Sequence, residues 1–329
     1  MTGASGNIGS AVLREVSAKG DCELLALARR RPPVPHAADQ ASVEWRSADV
    51  SYDDLVPLFT GAGAVVHLAW KMQPTHRPEE TWETNVVGTR RVLQAVRDAG
   101  VPAVVCASSV AAYSPVFHDD PVEESWQTDG ASAANYCREK AYVERLLDGF
   151  EVANPDTRVV RVRPAFVFQR SSASEQRRIF GGPMARPGIL RRGLLPVLPV
   201  PTGLRMQAVH AGDVGRAVEA MVRLPVRGAF NLAGNGVVRR AELGELLGAR
   251  TVQVPSQVPR SALAAAWTVR AAGVPGTMLD ALMRVPLLAT ERARAELGWA
   301  PHHSGMEALG AVVDGLPQRW GSGLPPLRP

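Results

Sequence analysis

Tyr136 and Lys140 stand four residues apart inside a run from Ala133 to Phe150 that reads as a helix. Residues at that spacing share one helical face, one turn apart, so a phenol and an ammonium can converge on a common point. An ammonium about 4 Å from a phenolate, at an effective dielectric near 20, stabilises it by on the order of 4 kcal/mol. That is enough to bring a phenol from a pKa near 10 to roughly 7. The side chain would then exchange a proton near neutral pH, as a general acid or base does for a carbonyl or alcohol oxygen. The same pair occurs on helices with no catalytic role, so the chemistry depends on three companions: a dinucleotide site, a hydroxyl donor and a cover for the substrate.

The dinucleotide site is expected at the start of the chain. Gly3, Gly6 and Gly9, with Ser5, Asn7 and Ile8 between them, open a helical pattern that runs to about Lys19. Glycines at this spacing let backbone amides approach a pyrophosphate at a helix N-terminus, where the macrodipole favours negative charge. A buried strand of about five residues should precede such a loop, and only Met1 and Thr2 do so. The sheet is therefore expected to have a gap in its middle, and either the natural product is expected to begin upstream of Met1 or this sequence to be truncated. Leu24 to Ala28 reads as the next strand and ends at Arg29, Arg30 and Arg31, before Pro32 and Pro33. An acid at this place would bond the adenosine ribose, whereas arginine suits a 2′-phosphate, so NADP(H) is favoured over NAD(H). A solvated basic turn is the plainer reading of the same residues.

Further elements must hold these parts in place. Trp45 to Val50 brings Asp49 to where a loop could meet adenine; Ala64 to Ala69 is a buried strand followed by a loop from Trp70 to Pro78. Trp82 to Ala99 is amphipathic, and Val101 to Ala107 is a strand ending at Ser108 and Ser109. Loops after strand C-termini are where open α/β sheets bind ligands, so a serine here is placed to donate to a substrate oxygen, although a capping role is the ordinary one. Thr157 to Val162 and Phe230 to Leu232 read as strands, and Gln207 to His210 leads to a helix ending near Leu224. Gln169 to Arg205 is rich in Pro, Gly and Arg and reads as a loop-rich insertion, the place to seek substrate contacts, with a ligand-free surface excursion as the plainer reading. Pro325 to Pro329 is expected to fray.

With 329 residues, 46% of them hydrophobic, the chain can bury a large core. The expected class is α/β: a Rossmann-like doubly wound parallel sheet with a smaller C-terminal substrate-binding domain. Residues 1–168 with 208–232 would form the first part, and 169–207 with 233–329 the second. Cys22, Cys106 and Cys137 fit reduced thiols. No stretch is apolar enough to span a bilayer and no signal pattern opens the chain, so a cytoplasmic location is expected. The net charge of +5 comes from scattered arginine clusters, such as Arg177–Arg178, Arg191–Arg192 and Arg239–Arg240, without interleaved aromatics. That argues against nucleic acid and for small anionic ligands. His36, His76, His118, His302 and His303 show no metal-ligand spacing.

In this order the pieces resemble the extended short-chain dehydrogenase/reductase family, in its NAD-dependent epimerase/dehydratase branch. The resemblance rests on Thr2 to Gly9, Asp49-Val50, His67-Leu68-Ala69, Asn85 with Gly88-Thr89, Ser108-Ser109 through Tyr113, Tyr136 with Lys140, Arg163-Pro164, and Val209-His210 with Asp213-Val214. It implies that Tyr136 is the acid/base, that Ser109 bonds the substrate oxygen, and that Lys140 depresses the tyrosine pKa and holds the nicotinamide ribose. It implies pyrophosphate contacts from Gly3, Gly6 and Gly9, adenine flanked by Asp49 and Val50, and the nicotinamide bordered by Pro164. Leu68, Ala69 and Asn85 join the cofactor set; Trp70, Ser108 and Arg205 join the substrate set, with Arg205 matching a nucleotide contact of sugar-nucleotide members. The resemblance would place the helices Trp82–Ala99 and Ala133–Phe150 in a homodimer interface, although their apolar faces could equally be satisfied against the sheet.

The departures narrow the activity. Val110 and Ala111 stand where 4,6-dehydratases carry Asp and Glu, so dehydration is disfavoured. Ser114-Pro115 after Tyr113 and the bulky Trp70 put the usual sugar substrate in doubt. The expected function is oxidoreduction of a ketone or secondary alcohol with NAD(P). A nucleotide-sugar epimerase with tightly held NAD, acting on a phosphate-bearing substrate, is the alternative, and a non-catalytic NADP(H) sensor is the third reading.

Overall fold

The computed structural model describes residues 1–30, 32, 43–72, 75–181, 192–318, 321 and 324–327. Arg31, Pro33, His36 and Arg191 lie outside the described residues. In chain order, α1 (Asn7–Ser17) leads to β1 (Leu24–Ala28), β2 (Val43–Ser47), α2 (Val56–Phe59), β3 (Val65–His67) and α3 (Pro78–Trp82). A π-turn at Glu83–Val87 joins α3 to α4 (Gly88–Asp98), followed by β4 (Ala103–Ala107), α5 (Asn135–Ala153), β5 (Arg158–Pro164), β6 (Phe166–Phe168) and α6 (Ala173–Gln176). Then come β7 (Val197–Pro201), β8 (Ala208–His210), α7 (Ala211–Arg223), β9 (Gly228–Leu232), α8 (Arg240–Leu247) and β10 (Arg250–Val254). Helices α9 (Gln257–Thr268), α10 (Gly276–Leu282), α11 (Glu291–Leu297) and α12 (Gly305–Gly315) complete the chain. Among the described residues no helix is long and apolar enough to cross a membrane.

The main sheet is parallel, in the order β2-β1-β3-β4-β5-β9, with Thr2 between β1 and β3. Thr2 bridges Leu27 on one side and His67 on the other, so the expected gap is closed at the carboxyl ends of its neighbours. Leu27 N donates to Met1 O at 2.8 Å, and Thr2 N to Val66 O at 2.9 Å. Behind this join His67 is fully used: Nδ1 lies 2.7 Å from Thr2 Oγ1 and Nε2 2.9 Å from Thr89 Oγ1. Burial pushes its pKa down to about 3, so the ring is a neutral strut at physiological pH.

Helices cover both faces because the strands are apolar on both, as parallel strands are. Val12 and Val16 of α1 and Val214 and Val218 of α7 form one layer, and Val92 and Val96 of α4 with Val143 and Leu147 of α5 form the other. Gly215 lets α7 meet α1 closely, since a Cβ there would lie 3.0 Å from the Ala11 backbone.

Two expectations are corrected. The insertion contains a strand, β7, paired in parallel with β10 (Val197 opposite Arg250). Pro199 and Pro201 hide it in sequence, but a two-stranded edge tolerates proline because half its amides need no ladder partner. The tail does not fray at residues 324–327: Leu327 is fully buried, packed with Leu324 against Leu13 and Trp45.

Candidate active site

The carboxyl ends of β1, β3, β4 and β5 open onto a trough with two connected sections of about 500 Å³ and 220 Å³. Both sections are lined by Gly3, Gly6, Leu68 and Trp70, so the glycine loop is their common floor. Gly3 has φ +69°, and a Cβ on it would meet Ala69 N and Leu68 C at 2.5 Å, so the loop lies hard against the end of β3. Gly6 is the N-cap of α1 with no side-chain cap bond, which leaves first-turn amides for a ligand. Asn7 lines the inner section, but its side chain anchors the loop: Nδ2 donates to Val167 O at 3.0 Å, and Oδ1 accepts from Gln169 Nε2 at 2.9 Å. Ile8 and Gly9 line the inner section and Ser5 the outer one.

The outer section collects Arg29, Arg30, Asp49, Val50 and Ala69, the set expected around an adenosine. Asn85 is not among its walls. It is completely buried, accepts from Lys71 N at 2.7 Å and donates to Lys71 O at 3.1 Å and to Glu139 Oε2 at 2.7 Å. It therefore ties the π-turn to α5 and to the loop after β3, and the expected cofactor contact gives way to a structural one.

In the inner section Tyr136 Oη donates to Ser109 Oγ at 3.2 Å, joining the first turn of α5 to the end of β4. Ser109 Oγ also accepts from Ala111 N at 3.1 Å, which fixes its rotamer. Ser108 lines the cavity too, but its hydroxyl is spent on Glu144 Oε1 at 2.5 Å, so Ser109 is the serine left to meet a substrate oxygen. Lys140 is buried, donates to Ala107 O at 2.9 Å, and sits 3.3 Å from the centroid of the Trp70 ring.

The expected acidic tyrosine is corrected here. Burial pushes the Tyr136 phenol up to about 12, against the smaller opposing effect of Ser109, and pushes the Lys140 ammonium down to about 8. Helical spacing placed the two residues on one face, but the ammonium settles on a carbonyl and an indole face instead of the phenol. Trp70, edge-on to Tyr136 at 5.9 Å, is the residue that captures it.

Arg205 lies elsewhere and lines neither section. It is 5% exposed, with Nε 2.5 Å from Asp119 Oδ1 and its two terminal nitrogens donating to Val285 O and His118 O, each at 2.8 Å. Its donors are committed to holding the segment before α11, so the sequence expectation of a substrate contact is not met in this arrangement.

Pro164 lines the inner section. Sequence reasoning missed Met72, Glu175, Phe180, Met278, Leu282 and Val285, which line the same section from remote parts of the chain. None sits in a motif, and only the fold brings them in. Glu175 borders both sections, and burial raises its pKa to about 7, with Arg178 partly opposing. The folded state holds that proton more tightly than the unfolded chain, so the associated stability is complete below pH 4.5 and is lost as pH rises through about 7. Discounted for residual exposure, on the order of 2 kcal/mol should disappear between about pH 5 and about pH 8. Urea unfolding should show that loss in the wild type and a flatter profile in Glu175→Gln; parallel profiles would acquit Glu175.

Residues 1–233 match the family described as NAD dependent epimerase/dehydratase family. UDP-glucuronic acid decarboxylase 2 of Arabidopsis thaliana is 26% identical over 171 residues, covering 49% of this chain and 37% of that protein. A putative dihydroflavonol 4-reductase of Synechocystis sp. is 27% identical over 129 residues, covering 39% of this chain and 37% of the relative. The chain thus spans well under half the length of these relatives. The solved structure of MoeE5 in complex with UDP-glucose and NAD superposes with a TM-score of 0.67 at 22% identity, over 95% of this chain and 96% of that one, a likeness of fold.

Proposed function

Because this chain belongs to the NAD dependent epimerase/dehydratase family, we propose that its trough takes a nicotinamide dinucleotide and that it moves hydride between that cofactor and a ketone or secondary alcohol. The observation that carries the reading is the Tyr136–Ser109 hydrogen bond of 3.2 Å in the chamber floored by the glycine loop. The residues fit a dinucleotide: Gly3 and Gly6 leave backbone room for a pyrophosphate at the start of α1, and Asp49 and Val50 flank the adenine end. The bound dinucleotide supplies or accepts the hydride. Ser109 polarises the substrate oxygen, Tyr136 gives it or takes from it a proton, and Lys140 supplies positive charge beneath them.

Arg29 and Arg30 at the outer end support NADP(H) over NAD(H). Replacing both with Asp should weaken NADPH binding at least about tenfold, or 1.4 kcal/mol, and leave NADH binding nearly unchanged. Equal losses for both cofactors would remove the phosphate clamp from the reading. MoeE5 was solved with NAD, and a nucleotide-sugar epimerase using the same Ser109, Tyr136 and Lys140 remains the second reading. It predicts NAD retained through purification and no net change in cofactor absorbance with substrate. The deciding experiment is therefore extraction of bound nucleotide together with a search for Tyr136-dependent net oxidation of the reduced cofactor. Trp82 and Tyr142, exposed on α3 and α5 with ring centroids 4.9 Å apart, are the anchors we assign to a homodimer face.

A further inference from the structure

We infer that the molecule reacting beside Tyr136 is an uncharged, mostly apolar ketone or its secondary alcohol, and not a sugar joined to a nucleoside diphosphate. This rests on the oxidoreductase reading above. Beyond Ser109, Tyr136 and Gln176, and the committed side chains of Asn7 and Ser108, the inner chamber is walled mainly by Cys137, Phe180, Met278, Leu282 and Val285. Among the described residues lining it, Lys140 is the only cation and Glu175 the only acid. Lys140 is occupied by Ala107 O and the face of Trp70.

A substrate diphosphate would bring its negative charges against these apolar walls, away from the α1 amides that would serve the dinucleotide's own pyrophosphate, and buried charge there needs hydrogen-bonding counter-charge. The arginine expected to supply it, Arg205, has its donors on Asp119, Val285 O and His118 O. To meet a ligand it would have to leave Asp119 and expose two carbonyls it now satisfies. An uncharged ketone needs only the pair of hydroxyls already in place.

The chamber also says something about length. A side pocket of about 210 Å³, bordered by Thr75, Asn135 and Thr277, with Lys71 paired to Glu80 and Glu139 bonded to Thr81 and Asn85, shares Tyr136, Met72 and Met278 with it. A ligand held at Tyr136 can therefore extend past the tyrosine and place an uncharged polar end among those side chains. In the reducing direction the carbonyl carbon takes a hydride from the reduced nicotinamide and the carbonyl oxygen takes the Tyr136 proton. The nicotinamide is left oxidised, and Tyr136 recovers its proton from water.

The test is titration calorimetry on dinucleotide-saturated protein with three probes: 2-acetylnaphthalene, UDP and UDP-glucose. The ketone should bind saturably, and UDP and UDP-glucose should give no saturable heat at about 1 mM. Leu282→Glu should weaken ketone binding at least tenfold while leaving dinucleotide affinity within twofold, which also reports that the variant is folded; Met278→Lys serves if it is not. Saturable binding of UDP or UDP-glucose, no ketone binding, or ketone binding indifferent to both substitutions would overturn the inference. The oxidoreductase reading fails by a different signal: bound ketone never consumed with Tyr136-dependent oxidation of the reduced nicotinamide. Ketone binding without that turnover would leave the chamber's preference standing and remove the reaction.

Discussion

Tyr136→Phe should lower the rate of carbonyl reduction by about a thousandfold while leaving dinucleotide affinity within about twofold, because positioned proton transfer contributes 10²–10⁴ and the phenol lies off the glycine loop. The hydroxyl donates to Ser109 Oγ at 3.2 Å and has no second described partner. Its removal costs the fold little and the transition state much. The buried phenol, with its pKa raised to about 12, keeps its proton throughout the neutral range. It is therefore set as an acid, ready to protonate an oxygen that gains charge, and reduction should vary little with pH at about 6 and decline toward about pH 8 as the Lys140 ammonium, lowered to about 8, is lost. Alcohol oxidation needs the same group as a base and should rise with pH over that interval. Single-turnover rates with reduced cofactor, measured in both directions across this range, check the pair of statements. A Tyr136→Phe protein that still reduces at a tenth of the wild-type rate would end the assignment.

The second large effect is on stability. Glu144→Ala should cost about 3–5 kcal/mol, the cost of leaving a buried partner charge uncompensated. Glu144 is fully buried on α5, yet its Oε1 accepts from Arg163 Nε at 2.8 Å and from Ser108 Oγ at 2.5 Å, and its Oε2 accepts from Arg163 Nη2 at 2.9 Å and Arg161 Nη1 at 3.3 Å. Burial alone would raise its pKa, but the Arg163 bonds outweigh it and hold the carboxyl below the usual range. Arg163 continues the network to Tyr113 Oη at 3.0 Å, and Tyr113 donates to Asn231 at 2.7 Å, so one carboxylate links α5, β5, β9 and the segment after β4. Denaturant midpoints at neutral pH give the measurement, and a loss under about 1 kcal/mol would show the network to be dispensable. The folded remainder of the variant should also be a poorer enzyme, because Ser108 and the adjacent Ser109 lose their anchor.

Much of this molecule could be read from residues close together in the chain. The glycine loop from Gly3 to Gly9 is a local backbone requirement, and it holds in space: Gly3 needs positive φ and has no room for a Cβ. Ser109 and Tyr136 follow from a strand end and a helix start, and they meet. The strand written as Val197–Pro201 was hidden by its prolines, and the buried tail at Leu327 by its position at the end of the chain. Cavity walls such as Met278 and Leu282 carry no motif, since any apolar helix face can serve a core equally well.

The sequence by itself determined the α/β class, the parallel strand pattern and the loop that would receive a pyrophosphate, while the choice of Ser109 as the partner of Tyr136 came from the family resemblance. Each of the first three depends on short-range spacing, which backbone geometry converts directly into a face or a turn. The tertiary structure alone decided which polar groups stay available. Ser108 is taken by Glu144, Asn85 by Lys71 and Glu139, Arg205 by Asp119 and two carbonyls, and the Lys140 ammonium by Ala107 and Trp70. A buried donor must find a partner wherever the fold presents one, and those partners lie tens to more than eighty residues away. Helical spacing can bring Tyr136 and Lys140 to one face; only packing sets the pKa of each and leaves Tyr136 holding its proton.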